Sequence, residues 1–267
     1  MNDIKNNLTM VVSNANEKLS PFETIDTIAE AGFKNVFVQW YNRDWNPTQE
    51  EQIEYIKQKG LNIIFAHLGY DFLNATWLGN TYYRNLLIET YKHDLDCCYK
   101  YGIDLVIMHA HGKMNKAKFN SEGLRCFREI IDYAQKLNIN VAIENTRLDG
   151  YLEFLLDNIK NENLGICFDA GHYHVHYKDQ FNFDRFKDKI LAVHLHDNDQ
   201  SDDQHLLPFD GTLNWENVVN NLKKCNYKGP ITIEVKYSKQ YLEMEPIEFY
   251  KKAYSIGEKL YNMMYEE

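Results

Sequence analysis

The stretch LVIMHAHGKMNKAKFNSEGLRCFREIIDYAQKLNINVAIE, residues 105–144, contains two short apolar runs separated by a segment with helical periodicity. The runs, Leu105 to His109 and Val141 to Glu144, are rich in the β-branched residues that favour strands. Apolar residues at spacings of three and four indicate a helix between them. They are Phe127, Ile130, Ile131, Ala134 and Leu137. This order of strand, helix and strand predicts a parallel βαβ unit.

The same alternation recurs along the rest of the sequence. Six further apolar runs have the length and composition of strands. They are Leu8 to Ser13, Val36 to Trp40, Ile63 to His67, Leu164 to Asp169, Ile190 to His194 and Ile231 to Val235. Several helical segments end at a glycine that suits a left-handed stop, namely Gly32, Gly60 and Gly102. Eight strands alternating with helices predict an α/β fold with a single (β/α)₈ TIM-barrel domain over residues 1–267.

An open, doubly wound parallel sheet is the alternative architecture for this alternation. It would require a glycine-rich phosphate-binding turn after the first strand. Residues 11–16 instead read Val-Val-Ser-Asn-Ala-Asn. The barrel is therefore the preferred fold.

Composition and charge restrict the class of protein. The 267 residues include 29 basic and 39 acidic side chains, and the formal net charge of −10 disfavours nucleic acid as a partner without excluding it. No segment approaches the roughly 20 apolar residues of a membrane span, and the first residues lack a secretion signal. The five cysteines form no CxxC pair, which disfavours a thiolate zinc site. We expect a cytoplasmic globular protein without membrane contact, and a homo-oligomer is possible.

Side chains that bind metals stand at the ends of six of the eight predicted strands. They are His67, His109, Glu144, Asp169, His194 and Glu234. The carboxyl ends of barrel strands meet at one mouth, where the active sites of such barrels lie. A buried carboxylate or imidazole is costly unless it is paired or liganded. The repeated placement therefore predicts a metal site at the mouth.

Two local motifs add donors to this set. In Asp169-Ala170-Gly171-His172, a turn of small residues lets the carboxylate and the imidazole face the same cavity. Asp203 and His205 are two residues apart, so an extended backbone would point both to one side. Carboxylates and imidazoles without a thiolate fit Zn²⁺, Mn²⁺, Co²⁺ or Fe²⁺ better than Mg²⁺.

The remaining histidines are weaker candidates. His196 lies two residues after His194 and would share its face of the strand, so it could also point to the mouth. His111 lies beside the cluster as well. We expect His174 and His176 to lie in a solvated loop and His93 on a helix surface.

Aromatic and basic residues follow several predicted strands. The aromatic residues are Trp40, Trp45, Tyr70, Phe72 and Trp77, and they would either line a sugar pocket or pack the barrel's edge. The basic residues are Lys113, Arg147 and Lys236. They would either hold a phosphate or hydroxyl group or be ordinary loop charges.

The ordered set of motifs resembles the xylose isomerase-like TIM-barrel superfamily, and the resemblance spans nearly the whole chain. This superfamily includes sugar isomerases and epimerases and the family 2 apurinic endonucleases. The motifs are Ala66-His67, Met108-His109, Ala142-Ile143-Glu144-Asn145-Thr146, Cys167-Phe168-Asp169-Ala170-Gly171-His172, His194-Leu195-His196-Asp197-Asn198, Asp203-Gln204-His205-Leu206-Leu207-Pro208, Asp210-Gly211 and Thr232-Ile233-Glu234. One departure is Pro208-Phe209-Asp210-Gly211, where the superfamily usually has Pro-Gly-Glu-Gly.

The resemblance implies a ligand set for one to three divalent metal ions. It assigns the metal shared by the isomerases and endonucleases to Glu144, Asp169, His194 and Glu234. The further ligands of the endonuclease branch are all present in this sequence. They are His67, His109, His172, Asp203 and His205.

The resemblance also implies an activity. We expect a zinc- or manganese-dependent isomerase or epimerase acting on a sugar, sugar phosphate or polyol. Glu144 and Glu234 would transfer a proton to and from the substrate, and His172 would orient a substrate oxygen. The alternative is an apurinic endonuclease-like phosphodiesterase with two or three zinc ions. A binding or regulatory barrel without turnover is disfavoured because the ligand set is complete.

Overall fold

Parallel strands and helices alternate along the chain in the computed structural model, which describes residues 7–13, 16–40, 47–79, 81–113, 117–147, 150–237 and 239–266. The strands are β1 Leu8–Val12, β2 Asn35–Trp40, β3 Asn62–Leu68, β4 Leu105–His109, β5 Asn140–Glu144, β6 Leu164–Asp169, β7 Ile190–His194 and β8 Ile231–Ile233. The helices are α1 Pro21–Glu30, α2 Gln49–Gln58, α3 Thr81–Tyr101, α4 Ser121–Lys136, α5 Tyr151–Asn158, α6 Ala170–Val175, α7 Trp215–Lys224 and α8 Pro246–Tyr265. Short 3₁₀ helices occupy Leu73–Thr76, Phe183–Phe186 and Lys239–Tyr241.

The strands form one parallel sheet that curves into a barrel. Their order is β7-β6-β5-β4-β3-β2-β1-β8, so each strand neighbours those adjacent to it in sequence. The last seam lies between β7 and β8, where Leu195 and Ile233 form an isolated parallel bridge. The Leu195 N–H donates to Thr232 O at 2.9 Å, and the Glu234 N–H donates to Leu195 O at 3.2 Å. The predicted (β/α)₈ barrel is thus confirmed, and the open doubly wound sheet is not.

Local signals in the sequence determine where helices begin and end. Ser20 and Glu23 form a reciprocal capping box at the start of α1, and Thr48 and Glu51 form another at α2. Asn120 caps α4 through the N–H groups of its first turn. The predicted helix stops at 32, 60 and 102 are glycines with positive φ, as a left-handed stop requires.

The barrel interior is an apolar core beneath the mouth. Phe37 and Phe65 stack with ring centroids 4.7 Å apart. The imidazole of His194 stacks on Phe37 at 5.1 Å, and solvent does not reach it. The aromatic pair therefore separates the polar groups at the mouth from the rest of the core, and it keeps water away from their lower side.

The strand boundaries differ from the predicted ones at two functional positions. β8 ends at Ile233, so Glu234 lies just beyond the strand and not within it. β3 extends to Leu68, so His67 is its penultimate residue. In both cases the end of a strand depends on hydrogen bonds to a neighbour, which local sequence does not encode.

Within the described chain, we find no helix with both the length and the apolarity to cross a membrane.

A stability test follows from the packing of α4 against Trp77. A Cβ atom at Gly123 would lie 2.0 Å from Cε3 of the Trp77 ring. We expect Gly123→Ala to lower the free energy of unfolding by about 1–3 kcal/mol, because the core would be overpacked. Urea denaturation would measure this.

Gly257→Ala in α8 is the matched control, because its nearest neighbours are flexible methyl groups of Leu8 at 3.3 and 3.4 Å. Both substitutions gain similar helix propensity. Equal stability of the two variants would contradict the close packing of Gly123 on Trp77.

Candidate metal centre and active site

Four consecutive strands end on potential metal ligands at the mouth of the barrel. These residues are His109, Glu144, Asp169 and His194, the last residues of β4 to β7. The sheet register places His109 opposite Glu144 and Asp169 opposite His194. Parallel pairing therefore brings donors that are far apart in sequence into direct contact.

Glu144 is the centre of the cluster. Its Oε2 atom lies 3.1 Å from His67 Nε2 and 3.0 Å from His109 Nε2. Its Oε1 atom lies 3.1 Å from His172 Nδ1 and 3.5 Å from His194 Nδ1. Each oxygen of this buried carboxylate thus faces two imidazoles, and these donors together would hold a divalent cation.

A second group of donors surrounds His194. One ligand atom from each of Glu144, Asp169, His194 and Glu234 lies within 4.8 Å of the others. His194 Nδ1 is 3.3 Å from Glu234 Oε2. The other carboxylate oxygen of Glu234 accepts a hydrogen bond from Gln39 Nε2 at 3.1 Å, which fixes the orientation of the carboxylate.

A third group lies on the opposite side of His172. Asp203 Oδ2 is 3.4 Å from His172 Nε2 and 3.5 Å from His205 Nε2. His205 adopts a φ of +50°, a left-handed conformation that costs a non-glycine residue roughly 1–2 kcal/mol. Its ring is oriented by a 3.0 Å contact between Nδ1 and the carbonyl of Glu234. Such strain is typical of functional sites.

Three buried atoms in the cluster fit a role as metal ligands. His172 Nδ1, His194 Nδ1 and Asp203 Oδ1 have no hydrogen-bond partner among the described residues. All three belong to groups that face other donors at 3–4 Å. A divalent cation would satisfy such buried atoms, so the donor set fits one or more ions.

The charges of the cluster are strongly coupled. Burial alone would raise the pKa of Glu144, but interactions with the neighbouring imidazoles of His109 and His194 hold it well below its usual range. Burial lowers the pKa of His109 to about 4, so this imidazole is neutral at physiological pH, as a metal ligand must be. For His172, burial is outweighed by Asp169 and Asp203, which raise its pKa well above the usual value.

A cavity of about 240 Å³ opens above these donors. Pockets for drug-sized ligands measure roughly 300–1,000 Å³, so this one suits a smaller molecule. The basic side chains of Lys113, Arg147 and Lys236 line it. Burial lowers the pKa of Lys236, although the nearby carboxylates of Asp203 and Glu234 oppose this shift.

Two glycines and a buried acid support the loops around the site. A Cβ atom at Gly171 would lie 1.9 Å from Cε1 of His196, so only glycine admits that ring. A Cβ atom at Gly211 would lie 2.3 Å from Asp197 Oδ1. That carboxylate accepts from the Phe209 and Leu213 N–H groups and from the Trp215 indole, which holds the 198–213 loop in place.

The structure brings together every predicted site residue. His196 joins them, with Nε2 3.1 Å from Asp169 Oδ2 and its ring stacked on that of His205 at 4.0 Å. The expectation of a solvated His174 was wrong. This side chain is buried in α6, where it contacts Asp179 and Thr212 at 2.8 and 2.9 Å. His93 is 70% exposed on α3, as expected.

The predicted aromatic residues lie in different environments: one lines the cavity, two are buried in the core and one is exposed. Tyr70 lines the cavity and stacks on His109 at 4.3 Å. Trp40 and Trp77 are buried in the core, and Phe72 is 71% exposed. Trp45 lies outside the described residues.

Two features of the site need the structure for their interpretation. Phe209 packs 5.6 Å from Trp215 and is absent from the cavity lining, so its bulk does not narrow the mouth. Gln39 was missed, although it is the one polar residue before the end of the otherwise apolar Val36–Trp40 run. This polar residue within an apolar strand was the sequence signal that could have identified Gln39 as part of the site.

The fold and the site together define a parallel barrel with an acid–imidazole cluster at its carboxyl-terminal mouth. Residues 25–255 match the family described as xylose isomerase-like TIM barrel. The chain belongs to this family. One relative, the uncharacterised protein y4fM of Sinorhizobium fredii, is 23% identical over 90% of this chain and 88% of its own length.

Two solved structures share the fold at low sequence identity. D-psicose 3-epimerase from Clostridium cellulolyticum H10 superposes with a TM-score of 0.74 at 12% identity, covering 97% of this chain and 99% of the other. D-allulose 3-epimerase from Methylomonas sp. superposes with a TM-score of 0.75 at 15% identity, covering 95% and 97%. These similarities establish the fold of the chain.

A metal-binding test follows from the third donor group. We expect Asp203→Ala to retain fewer ions per chain than the unaltered protein, because it removes the carboxylate between His172 and His205. Elemental analysis after loading with Zn²⁺ or Mn²⁺ would measure this.

A chelator should also lower the melting temperature of the unaltered protein, since a bound ion stabilises the folded state.

Asp202→Ala is the matched control for this test, because its side chain is exposed beside Asp203. We expect its ion content to equal that of the unaltered protein. If Asp203→Ala also binds the same number of ions, Asp203 is not a ligand.

Proposed function

We propose that this protein is a divalent metal-dependent isomerase or epimerase that acts on a small carbohydrate. The observation that carries the proposal is the approach of both Glu144 and Glu234 to His194 Nδ1, at 3.5 and 3.3 Å. One carboxylate at the end of β5 and another just after β8 thereby approach one common point beside the cavity. The cavity volume of about 240 Å³ is consistent with a small sugar. The sugar 3-epimerases among the structural neighbours of the protein also support this substrate class.

In this proposal the two glutamates transfer the proton. One carboxylate removes a proton from the carbon next to the substrate carbonyl, and the other carboxylic acid returns a proton to the substrate. Return to the opposite face of the same carbon gives an epimer, whereas return to the neighbouring carbon gives an isomer. The hydrogen bond from Gln39 to Glu234 Oε1 leaves Oε2 directed towards the reacting region.

The remaining donors position the substrate and the metal. Glu144, Asp169, His194 and Glu234 would hold the ion, with Zn²⁺ or Mn²⁺ preferred and Co²⁺ or Fe²⁺ as alternatives. When bound, a divalent cation supplies electrostatic stabilisation for negative charge that develops on substrate oxygens. His172 lines the cavity and would orient a substrate oxygen. Tyr70, stacked on His109, provides an apolar wall for the sugar ring.

The exchange of substrate hydrogen with solvent tests the roles of the two glutamates. We expect Glu144→Gln and Glu234→Gln each to slow deuterium incorporation into the substrate by about 10²–10⁴-fold, because an amide cannot accept the proton. NMR of ketoses and aldoses incubated in D₂O with metal-loaded protein would measure this. Glu54→Gln, at an exposed position on α2, is the control. Unaltered exchange in both site variants would reject the proposed roles.

A second candidate function is hydrolysis of a phosphodiester at an abasic DNA site. The specific observation in its favour is the third donor group of His172, Asp203 and His205, which a one-metal isomerase does not need. Several ions could together activate water and stabilise the leaving oxygen. The net charge of −10 is unfavourable for DNA binding.

Nicking of an abasic oligonucleotide distinguishes the two functions. If the protein is a nuclease, the fully metallated chain cuts the strand, and Asp203→Ala loses this activity while Asp202→Ala retains it. We expect no cleavage, because the first proposal assigns the cavity to a small sugar. Cleavage that depends on Asp203 would replace that proposal with the nuclease.

A further inference from the structure

A hydrogen-bonded pair of side chains, Thr146 and His111, lies in the cavity wall beside the metal donors. Thr146 follows Glu144 by two residues and His111 follows His109 by two, and the β4–β5 register places Glu144 opposite His109. The pair continues this register beyond the strand ends, where Thr146 Oγ1 lies 2.9 Å from His111 Nε2. Both residues line the cavity and are buried. Neither belongs to the three donor groups.

The surroundings of His111 determine which of its ring nitrogens carries hydrogen. Nδ1 lies 3.0 Å from the carbonyl oxygen of Gly112, so Nδ1 carries a hydrogen and donates it. The ring of Tyr151 packs on the imidazole with centroids 5.0 Å apart. Burial lowers the pKa of His111 in spite of the Gly112 hydrogen bond, and the charge of Arg147 acts in the same direction as burial. A neutral imidazole with its hydrogen on Nδ1 leaves Nε2 as an acceptor.

The state of His111 fixes the direction of its hydrogen bond with Thr146. A hydroxyl group carries one hydrogen and two lone pairs. Since Thr146 gives its hydrogen to Nε2 of His111, its oxygen has none left to donate to a ligand. Among the described residues, no other group is hydrogen-bonded to this oxygen. Thr146 therefore offers an acceptor, and not a donor, to a molecule in the cavity.

The chemistry of the wall restricts the group that can donate to Thr146. A carbonyl, an ether or an ionised carboxylate has no hydrogen to give. An ammonium group would lie near Arg147, whose charge already acts on His111, and like charges repel each other. A neutral hydroxyl group meets both conditions, and a sugar carries several of them.

We propose that Thr146 determines specificity by accepting a hydrogen bond from one hydroxyl group of the substrate, and that His111 is a positioning residue that takes the Thr146 hydrogen. The inference rests on the proposed function, because it takes the ligand to be the small carbohydrate of an isomerase or epimerase. It adds the requirement that one particular position of the sugar carries a hydroxyl group. A site built to hydrogen-bond a substrate hydroxyl rejects an analogue without it, because a buried polar group is then left unpaired.

Calorimetric titration of the metal-loaded full chain with D-ketohexoses tests this hydrogen bond. The sugar that binds most tightly is compared with each of its mono-deoxy and mono-deoxyfluoro forms, since fluorine is similar in size to a hydroxyl group and cannot donate. At the position that faces Thr146, we expect both analogues to bind at least about ten-fold more weakly than the parent sugar.

Variants of Thr146 identify that position. Thr146→Val removes the acceptor with little change in volume, so we expect the preference for the parent sugar to fall roughly ten-fold at that position alone. Thr146→Ser should retain the preference, because the hydroxyl remains. Thr76→Val is the matched control, because Thr76 is also buried and its hydroxyl donates to the Leu73 carbonyl at 2.7 Å, outside the cavity lining. Its preference should equal that of the unaltered protein.

His111→Phe tests the positioning role. Without Nε2, the Thr146 hydroxyl is free to turn and donate into the cavity. We therefore expect the deoxyfluoro form to gain at least about two-fold in affinity over the deoxy form, relative to the unaltered protein. If His111 acts only in packing, this substitution weakens the binding of the deoxy and deoxyfluoro forms alike.

Three results would overturn the inference. One is a preference that survives in Thr146→Val at every position of the sugar, since the hydroxyl groups would then be recognised elsewhere in the cavity. Another is a deoxyfluoro form that binds as tightly as the parent sugar at the Thr146-dependent position, because Thr146 would then be the donor. The third is the failure of every ketohexose to bind the unaltered protein.

The results separate this inference from the proposed function. Equal preferences in Thr146→Val and the unaltered protein, together with glutamate-dependent deuterium exchange, would reject the hydroxyl-binding role and retain the isomerase. Thr146-dependent binding of a sugar, without exchange in any sugar, would reject the isomerase and retain a site that recognises a hydroxyl group.

Discussion

The burial of the Glu144 carboxylate among four imidazoles is the constraint on which the rest of the site depends. A buried carboxylate is tolerated only where partners compensate for its lost hydration. His67 and His109 face one of its oxygens, and His172 and His194 face the other. The ends of several strands and the start of α6 must therefore meet at one point. The parallel register of the barrel achieves this, since it aligns the carboxyl ends of neighbouring strands.

Buried aromatic side chains, a buried carboxylate and a glycine hold the residues around Glu144 in place. Phe37 and Phe65 form an apolar floor under His194, which strengthens the electrostatic interactions above them. Asp197 holds the loop that carries Asp203 and His205, and Gly171 leaves space for the His196 ring. Rigid support of this kind is what precise proton transfer requires.

Charged side chains of both signs line the cavity. The lining includes the acids Glu144, Asp203 and Glu234 and the bases Lys113, Arg147 and Lys236, and Arg147 Nη2 lies 3.7 Å from Asp203 Oδ2. The net charge of the whole chain, −10, does not describe this local balance of charges, so overall charge is a poor guide to the ligand of a small cavity.

The sequence alone was sufficient to predict the barrel and its donors. Strand and helix periodicities are local properties of the sequence. Four apolar runs that are visible in the sequence end on potential ligands, namely His109, Glu144, Asp169 and His194. Only the tertiary structure decided which way side chains point and which loops meet. It buried His174 and Trp77, oriented Gln39 towards Glu234, and brought three basic residues from separate loops to one wall. These outcomes depend on long-range packing and on the closure of the barrel between β7 and β8, and local sequence does not encode either of them.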